Sequence, residues 1–185
     1  MFLMETNWSI VEMRRLCFDL NFQSVMAVLC DGRSGGLSMF WKADCNLHIQ
    51  TFSPKHIDAH ILPINQRLWC LIGFHGRPEG LRKQESWYFL KNLHARSSLP
   101  WVYMGDYNEA LHSTEKQGGL PKQLVPMLAF KETLLHFGQH DLGYQGYPFT
   151  WSNGRAGEVF VEERLDRVCA NADWQALFPT GKVRH

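Results

Sequence analysis

The chain has 185 residues, 45% of them hydrophobic and 13% aromatic, with 19 basic and 18 acidic residues and a formal net charge of +1. Such a length and apolar content suit a domain with a sizeable core and exclude disorder. The near-neutral balance excludes polyanion binding driven by overall charge and leaves only local basic clusters for that purpose.

In chain order, Phe2-Leu3-Met4 reads as a strand leading into Glu5-Thr6. Trp8, Val11, Met13, Leu16 and Leu20 then recur at helical spacing, with Thr6 and Asn7 as candidate N-caps. Val25 to Cys30 reads as a strand, with turns at Asp31-Gly32 and Ser34-Gly35-Gly36. Leu37 to Trp41, Leu47 to Phe52, Ala59 to Ile64 and Leu68 to Phe74 read as antiparallel neighbours. A helix is expected over Glu85 to Ala95, with Trp87, Leu90 and His94 on one face, then a strand from Trp101 to Met104 and a helix from Met127 to Phe137. Phe149 to Trp151 and Val159 to Val161 suggest a hairpin across Asn153-Gly154. Glu163 to Cys169 and Asp173 to Leu177 suggest short helices. No linker, repeat or low-complexity stretch interrupts this order, so residues 1–185 read as a single domain.

Five dispersed cysteines form no Cys-x-x-Cys pair and no Cys/His ligand spacing, which argues against zinc and for reduced thiols in an intracellular compartment. No apolar run reaches membrane-spanning length. Met1-Phe2-Leu3-Met4 is too short for a signal peptide and has no basic leader; no nuclear-targeting run is visible, although a nuclear location suits the reading below. The glycines at 32, 35 and 36 lack the Gly-Lys-Ser/Thr ending of a phosphate loop, and a tight hairpin before Leu37 is the better reading. No Gly-x-Ser-x-Gly elbow marks a nucleophile.

Three apolar runs deliver an ionisable group at the carboxyl end: Glu5 after Met4, His75 after Phe74, and Asp106 after Gly105, with Asn108 two residues on. Ligand sites of layered α/β proteins gather outside strand ends. A carboxylate there orients water or binds a hard cation, and a carboxamide donates to phosphoryl oxygen. Taken singly, each residue has a plainer reading: a helix-start acid for Glu5, a loop histidine before Pro78 for His75, and an Asx turn for Asp106-Tyr107-Asn108. Arg77, Arg82 and Lys83 cluster after His75, and Arg155, Arg164 and Arg167 lie near later motifs. These offer local charge for DNA or simply a solvated face.

The ordered segments Phe2-Leu3-Met4-Glu5-Thr6, Gly32-Arg33-Ser34-Gly35-Gly36-Leu37, Gly73-Phe74-His75-Gly76-Arg77-Pro78-Glu79 and Gly105-Asp106-Tyr107-Asn108-Glu109 continue through Glu115-Lys116-Gln117-Gly118-Gly119 and Asp141-Leu142-Gly143-Tyr144. Gly146-Tyr147-Pro148-Phe149-Thr150-Trp151-Ser152-Asn153 and Glu163-Arg164-Leu165-Asp166-Arg167 complete the set. Together they resemble the endonuclease/exonuclease/phosphatase superfamily, in particular the endonuclease region of plant non-LTR (LINE-type) retrotransposon polyproteins.

That resemblance implies an α/β four-layer sandwich, two mixed β-sheets with outer helices, incomplete here at both ends. It implies Mg²⁺-dependent phosphodiester hydrolysis of DNA, with Mn²⁺ as an alternative ion and no membrane partner. By the resemblance, Glu5 is the metal-binding glutamate and Asp106 a water-orienting aspartate that also faces the metal. Asn108 contacts phosphate, and His75 stands where many relatives have Tyr. Asp166 matches the aspartate that orients a catalytic histidine, although its alternative is a helix-surface ion pair with Arg164 or Arg167. Trp151 and Asn153 follow the aromatic segment, or else serve core packing and a turn. The family's Asn-bearing opening strand and closing Ser-Asp-His segment have no match in these residues, and His185 falls too early for that histidine. The expectation is therefore an impaired enzyme, the alternative being a non-catalytic retroelement-derived fragment.

Overall fold

A computed structural model describes residues 1–29, 35–63, 67–78 and 82–185. The expected turn at Asp31-Gly32, the strand ends at Cys30 and Ile64, Arg33, Ser34 and Glu79 lie outside the described residues. The chain forms two compact units, Met1–His75 and Gly76–His185.

In the first unit, β1 (Phe2–Met4) is followed by α1 (Ile10–Asp19), β2 (Ser24–Val28), β3 (Leu37–Trp41), β4 (Leu47–Ser53), β5 (His56–Ile61) and β6 (Trp69–His75). Strand β3 is central to a small antiparallel sheet, between β1 and β2. Strands β4, β5 and β6 form an antiparallel meander. Leu37 and Met39 of the small sheet pack with Leu47, Ile57, Ala59 and Ile61 of the meander, making a sheet-on-sheet core. Strand β3 therefore belongs to a different sheet from the three strands that follow it. The other face of the small sheet is covered by α1, where Met13 and Cys17 meet Phe40.

The helix starts later than expected. Ser9, rather than Thr6 or Asn7, is the N-cap: its Oγ accepts from the Glu12 N–H at 3.3 Å, while Glu12 accepts from the Ser9 N–H at 2.7 Å. This capping box satisfies two otherwise orphaned donors. Only Met13 and Cys17 of α1 are buried, whereas Trp8, Val11 and Leu20 are exposed, so its apolar stripe is narrower than the spacing suggests. Strand β5 lies three residues before its expected position because alternation from His56 to Ile61 already buries Ile57, Ala59 and Ile61 on one face.

The second unit holds α2 (Lys83–His94), β7 (Trp101–Asp106), β8 (Lys116–Gln117), α3 (Leu124–His136), β9 (Gln139–Asp141), β10 (Trp151–Ser152), β11 (Glu162–Glu163), β12 (Asp166–Asn171) and α4 (Ala172–Leu177). Strand β12 lies between β7 and β9, antiparallel to both, and β10-β11-β8 form a small sheet. Helices α2 and α3 meet through Trp87 stacked on Phe130, with centroids 4.6 Å apart. On α2, Trp87 and Leu90 are buried and His94 stacks on Phe137, as the helical spacing suggests.

Several expectations fail in this unit. The stretch 163–169 is not a helix: it contributes to β11 and β12. Its arginines read as a solvated helix face, but Arg164 and Arg167 are buried by ion pairing with distant carboxylates. The hairpin is also shifted, pairing Trp151 with Glu163 and Ser152 with Glu162. Asn153 explains the longer connection: its Oδ1 accepts from the N–H groups of Arg155 and Val161, and its Nδ2 donates to the Val159 carbonyl at 2.7 Å. Trp151 is 45% exposed and is not a core residue.

Candidate active site

In the first unit, β1 carries Glu5 just past its end. Glu5 has φ of 54°, a left-handed backbone that is uncommon outside glycine. The next residue is pinned, because the Thr6 N–H donates to the Gly36 carbonyl at 3.2 Å. Gly36 itself has φ of 85°, and a Cβ there would sit 2.2 Å from the Thr6 carbonyl oxygen. The glycine before β3 is thus required by backbone approach to the segment that carries Glu5. The Glu5 side chain is 71% exposed, and its Oε1 lies 3.6 Å from Nε2 of His75. His75 closes β6 and is 4% exposed; its N–H donates to the Lys55 carbonyl at 2.9 Å. Two of the expected site residues therefore meet here, one presented to solvent and one held beneath it.

In the second unit, Asp106 is the last residue of β7, and its direct cross-strand partner on β12 is Asp166. Both are half-buried. Asp106 Oδ1 accepts the Asn108 N–H at 2.6 Å, so the Asx turn is formed and the plainer reading of this motif is correct as local geometry. The turn also presents Asn108, whose φ is 54°. The Asn108 Nδ2 donates to the Gly76 carbonyl at 3.0 Å, while the Gly76 N–H donates to the Asp106 carbonyl at 2.7 Å. A Cβ on Gly76 would lie 2.8 Å from the Tyr107 carbonyl oxygen, which explains glycine after His75. Glu5 and Asn108 are two of the three non-glycine residues with positive φ among those described; Asn21 is the third.

Sequence reasoning missed the residues that hold this turn. Lys83 Nζ donates to the Asn108 carbonyl at 2.7 Å and to Glu109 Oε2 at 2.8 Å. Glu109 is 1% exposed and also lies 3.6 Å from Lys122 Nζ. Thr150 Oγ1 accepts from the N–H groups of both Leu165 and Asp166 at 3.0 Å, fixing the start of β12. Thr150 lies in the aromatic motif and Glu109 beside Asn108, so adjacency was the available signal.

Beneath these strands lies an ion cluster. Arg164 Nη1 and Nη2 reach Asp141 at 2.8 and 2.9 Å, and Nη1 reaches Glu115 at 2.9 Å. Arg167 reaches Asp141 at 2.8 Å and Glu115 at 2.9 Å, and also donates to the Glu109 carbonyl. Burial alone would raise the carboxyls of Glu115 and Asp141, but hydrogen bonds and charge from the two arginines hold both below the usual carboxylate range. This corrects two readings. Asp166 is not paired with Arg164 or Arg167 on a helix surface. Those arginines are also committed internally and do not form a DNA-facing patch. The expected cluster after His75 is partly neutralised as well: Arg77 lies 2.8 Å and Arg82 3.9 Å from Glu85.

Residues 1–180 match the model of the Endonuclease/Exonuclease/phosphatase family, and the chain belongs to that family. Membership places it among nuclease- and phosphatase-type hydrolases. Solved structures agree on the α/β fold. The endonuclease domain of TRAS1, a telomere-specific non-LTR retrotransposon, is 14% identical with a TM-score of 0.67, over 83% of this chain and 69% of that one. The 3′ phosphatase NExo from Neisseria, bound to a product DNA hairpin, is 13% identical with a TM-score of 0.67, over 95% and 77%. An AP endonuclease from Archaeoglobus fulgidus is 15% identical with a TM-score of 0.64, over 92% and 75%. No curated protein gives a significant match. No helix among the described residues is long and apolar enough to cross a membrane.

Proposed function

We propose that this chain is the endonuclease region of a non-LTR retrotransposon, of the plant type that its motifs resemble, and that it hydrolyses phosphodiester bonds in DNA inside the cell with Mg²⁺. The observation that supports this most is the backbone of Glu5 and Asn108. Both family-matching residues adopt a left-handed conformation, which for Glu5 costs about 1–3 kcal/mol, and such strained positions cluster at functional sites.

The donor chemistry suits a hard cation. Glu5 offers an exposed carboxylate, and Asp106 brings a second carboxylate to the end of β7. In this reading Glu5 and Asp106 hold Mg²⁺, with Mn²⁺ as a substitute, and the ion supplies positive charge to phosphoryl oxygen. Asp106 orients the attacking water and accepts its proton. The Asn108 amide retains one N–H beyond the Gly76 bond for phosphoryl oxygen, and His75 donates to the scissile phosphate. Asp166 supports the acid–base apparatus. No histidine in these 185 residues matches the one that Asp166 orients in the family pattern, so nicking by this chain is slow.

Supercoiled plasmid incubated with the purified chain tests the reading. Slow nicking is expected with Mg²⁺, abolished by chelation and by Asp106→Asn. Nicking that persists in Asp106→Asn, or its complete absence in a folded protein that also fails to bind Mg²⁺, overturns it. The second outcome leaves the non-catalytic fragment as the reading.

A further inference from the structure

Away from these residues, the meander of the first unit gathers an oxygen, a nitrogen and a sulfur donor. Asp58 and His60 are two residues apart on β5 and so share one face. Cys70 on β6 is the direct cross-strand partner of His60. One ligand atom from each of the three lies within 4.8 Å of the other two. Cys70 is 2% exposed, while Asp58 and His60 are half-buried, so the group is rooted in the sheet yet open on one side.

Each donor is disposed for a shared cation. The Cys70 thiol donates to Asp58 Oδ1 at 3.1 Å. Asp58 Oδ2 is held by the Thr51 hydroxyl at 3.4 Å, and Thr51 is in turn 3.0 Å from Nε2 of the buried His56. Such an outer hydrogen-bond relay fixes a ligating carboxylate. Among the described residues no ion pair engages Asp58 and no hydrogen bond engages the His60 ring. A half-buried carboxylate with no cationic partner beside a soft thiol and an imidazole matches the preferences of zinc.

We propose that Asp58, His60 and Cys70 form a zinc site, with water as the fourth ligand. Zinc–ligand bonds of about 2.0–2.3 Å put tetrahedral ligand atoms roughly 3.2–3.6 Å apart, so small side-chain rotations complete the site. Binding releases the Cys70 proton to solvent and leaves a thiolate on the metal, so affinity rises with pH. Zinc would then tie β5 to β6, the strand that ends in His75. The site is independent of the Mg²⁺ chemistry proposed above, and its ligands are separate residues.

Cobalt(II) added to the metal-free full chain tests the proposal. One equivalent is expected to give a thiolate-to-cobalt charge-transfer band, displaced by stoichiometric zinc. Cys70→Ser should abolish the band, and His60→Ala and Asp58→Asn should weaken zinc binding on the order of a hundredfold or more. Cys45→Ser, Glu5→Gln and Asp106→Asn should leave the band unchanged, which separates this site from the Mg²⁺ ligands. X-ray absorption of the zinc-loaded wild type, which needs no variant to fold, should show one sulfur among nitrogen and oxygen neighbours. A sulfur-free zinc shell, or a cobalt band that survives Cys70→Ser, overturns the proposal.

Discussion

Asp106 and Asp166 are direct partners across the antiparallel pair β7 and β12, two carboxylates in register at the end where both strands meet the Asx turn. Like charges directly opposite one another on a sheet are destabilising by about 0.2–1 kcal/mol. Asp166→Asn should therefore raise stability by that order in chemical denaturation. Asp106→Asn should also fold, yet lose nicking by about a hundredfold to ten-thousandfold, the usual weight of a general base. Equal nicking by the wild type and Asp106→Asn would separate the charge pair from catalysis.

Arg167 is almost completely enclosed, and its guanidinium joins Glu115 to Asp141. Arg167→Met should cost about 3–5 kcal/mol, because it leaves two half-buried carboxylates sharing Arg164 as their one remaining guanidinium partner, whereas a surface arginine such as Arg15 should cost almost nothing. Urea denaturation of the two variants measures the difference. A small loss at Arg167 would mean that the cluster repacks.

The same cluster sets the response to acid. Glu115 and Asp141 titrate below their unfolded values, so their contribution is complete above the ordinary carboxylate range, about pH 4, and is lost as pH falls through the depressed folded values. The contribution of this cluster should be flat from neutral pH down to about pH 5 and then decline. Glu115→Gln should flatten that decline while lowering stability at neutral pH. Denaturant midpoints across the range measure it.

At Glu5 the backbone and the proposed function pull in opposite directions. Glu5→Gly removes the left-handed penalty of about 1–2 kcal/mol but adds unfolded-state freedom, so stability should stay level or rise by up to about 1 kcal/mol. Mg²⁺ binding, read by calorimetry, should fall in the same variant. Gly36→Ala should do the reverse to the fold, losing stability because its Cβ meets the Thr6 carbonyl.

Several of these elements were legible in the residues because their determinants are local. The bounds of β3 follow from an apolar run between Gly36 and Lys42, and the Asx turn follows from Asp106 and Asn108 alone. Three apolar runs placed Glu5, His75 and Asp106 at strand ends, and the structure has Glu5 just past β1, His75 closing β6 and Asp106 closing β7. What failed depended on distant partners. Arg164 and Arg167 read as solvated until Glu115 and Asp141 are seen to neutralise them. The facing of Asp106 and Asp166 follows from strand pairing, not from spacing. The grouping of Asp58, His60 and Cys70 likewise follows from the pairing of two strands, which spacing along the chain does not reveal.

The placement of β12 has a kinetic consequence. The first unit's meander pairs strands that follow one another, so its hairpins close over short loops. In the second unit the middle strand comes last: β7 and β9 both pair with β12 and must wait for it. Closing so long an interval is entropically slow, and contacts of high sequence separation retard folding. On the ribosome, Asp106 leaves the exit tunnel well before Asp166 does, and until Asn171 follows, the inner edges of β7 and β9 stay open to misplaced pairing. The carboxylate pair is therefore among the last features of its unit to form.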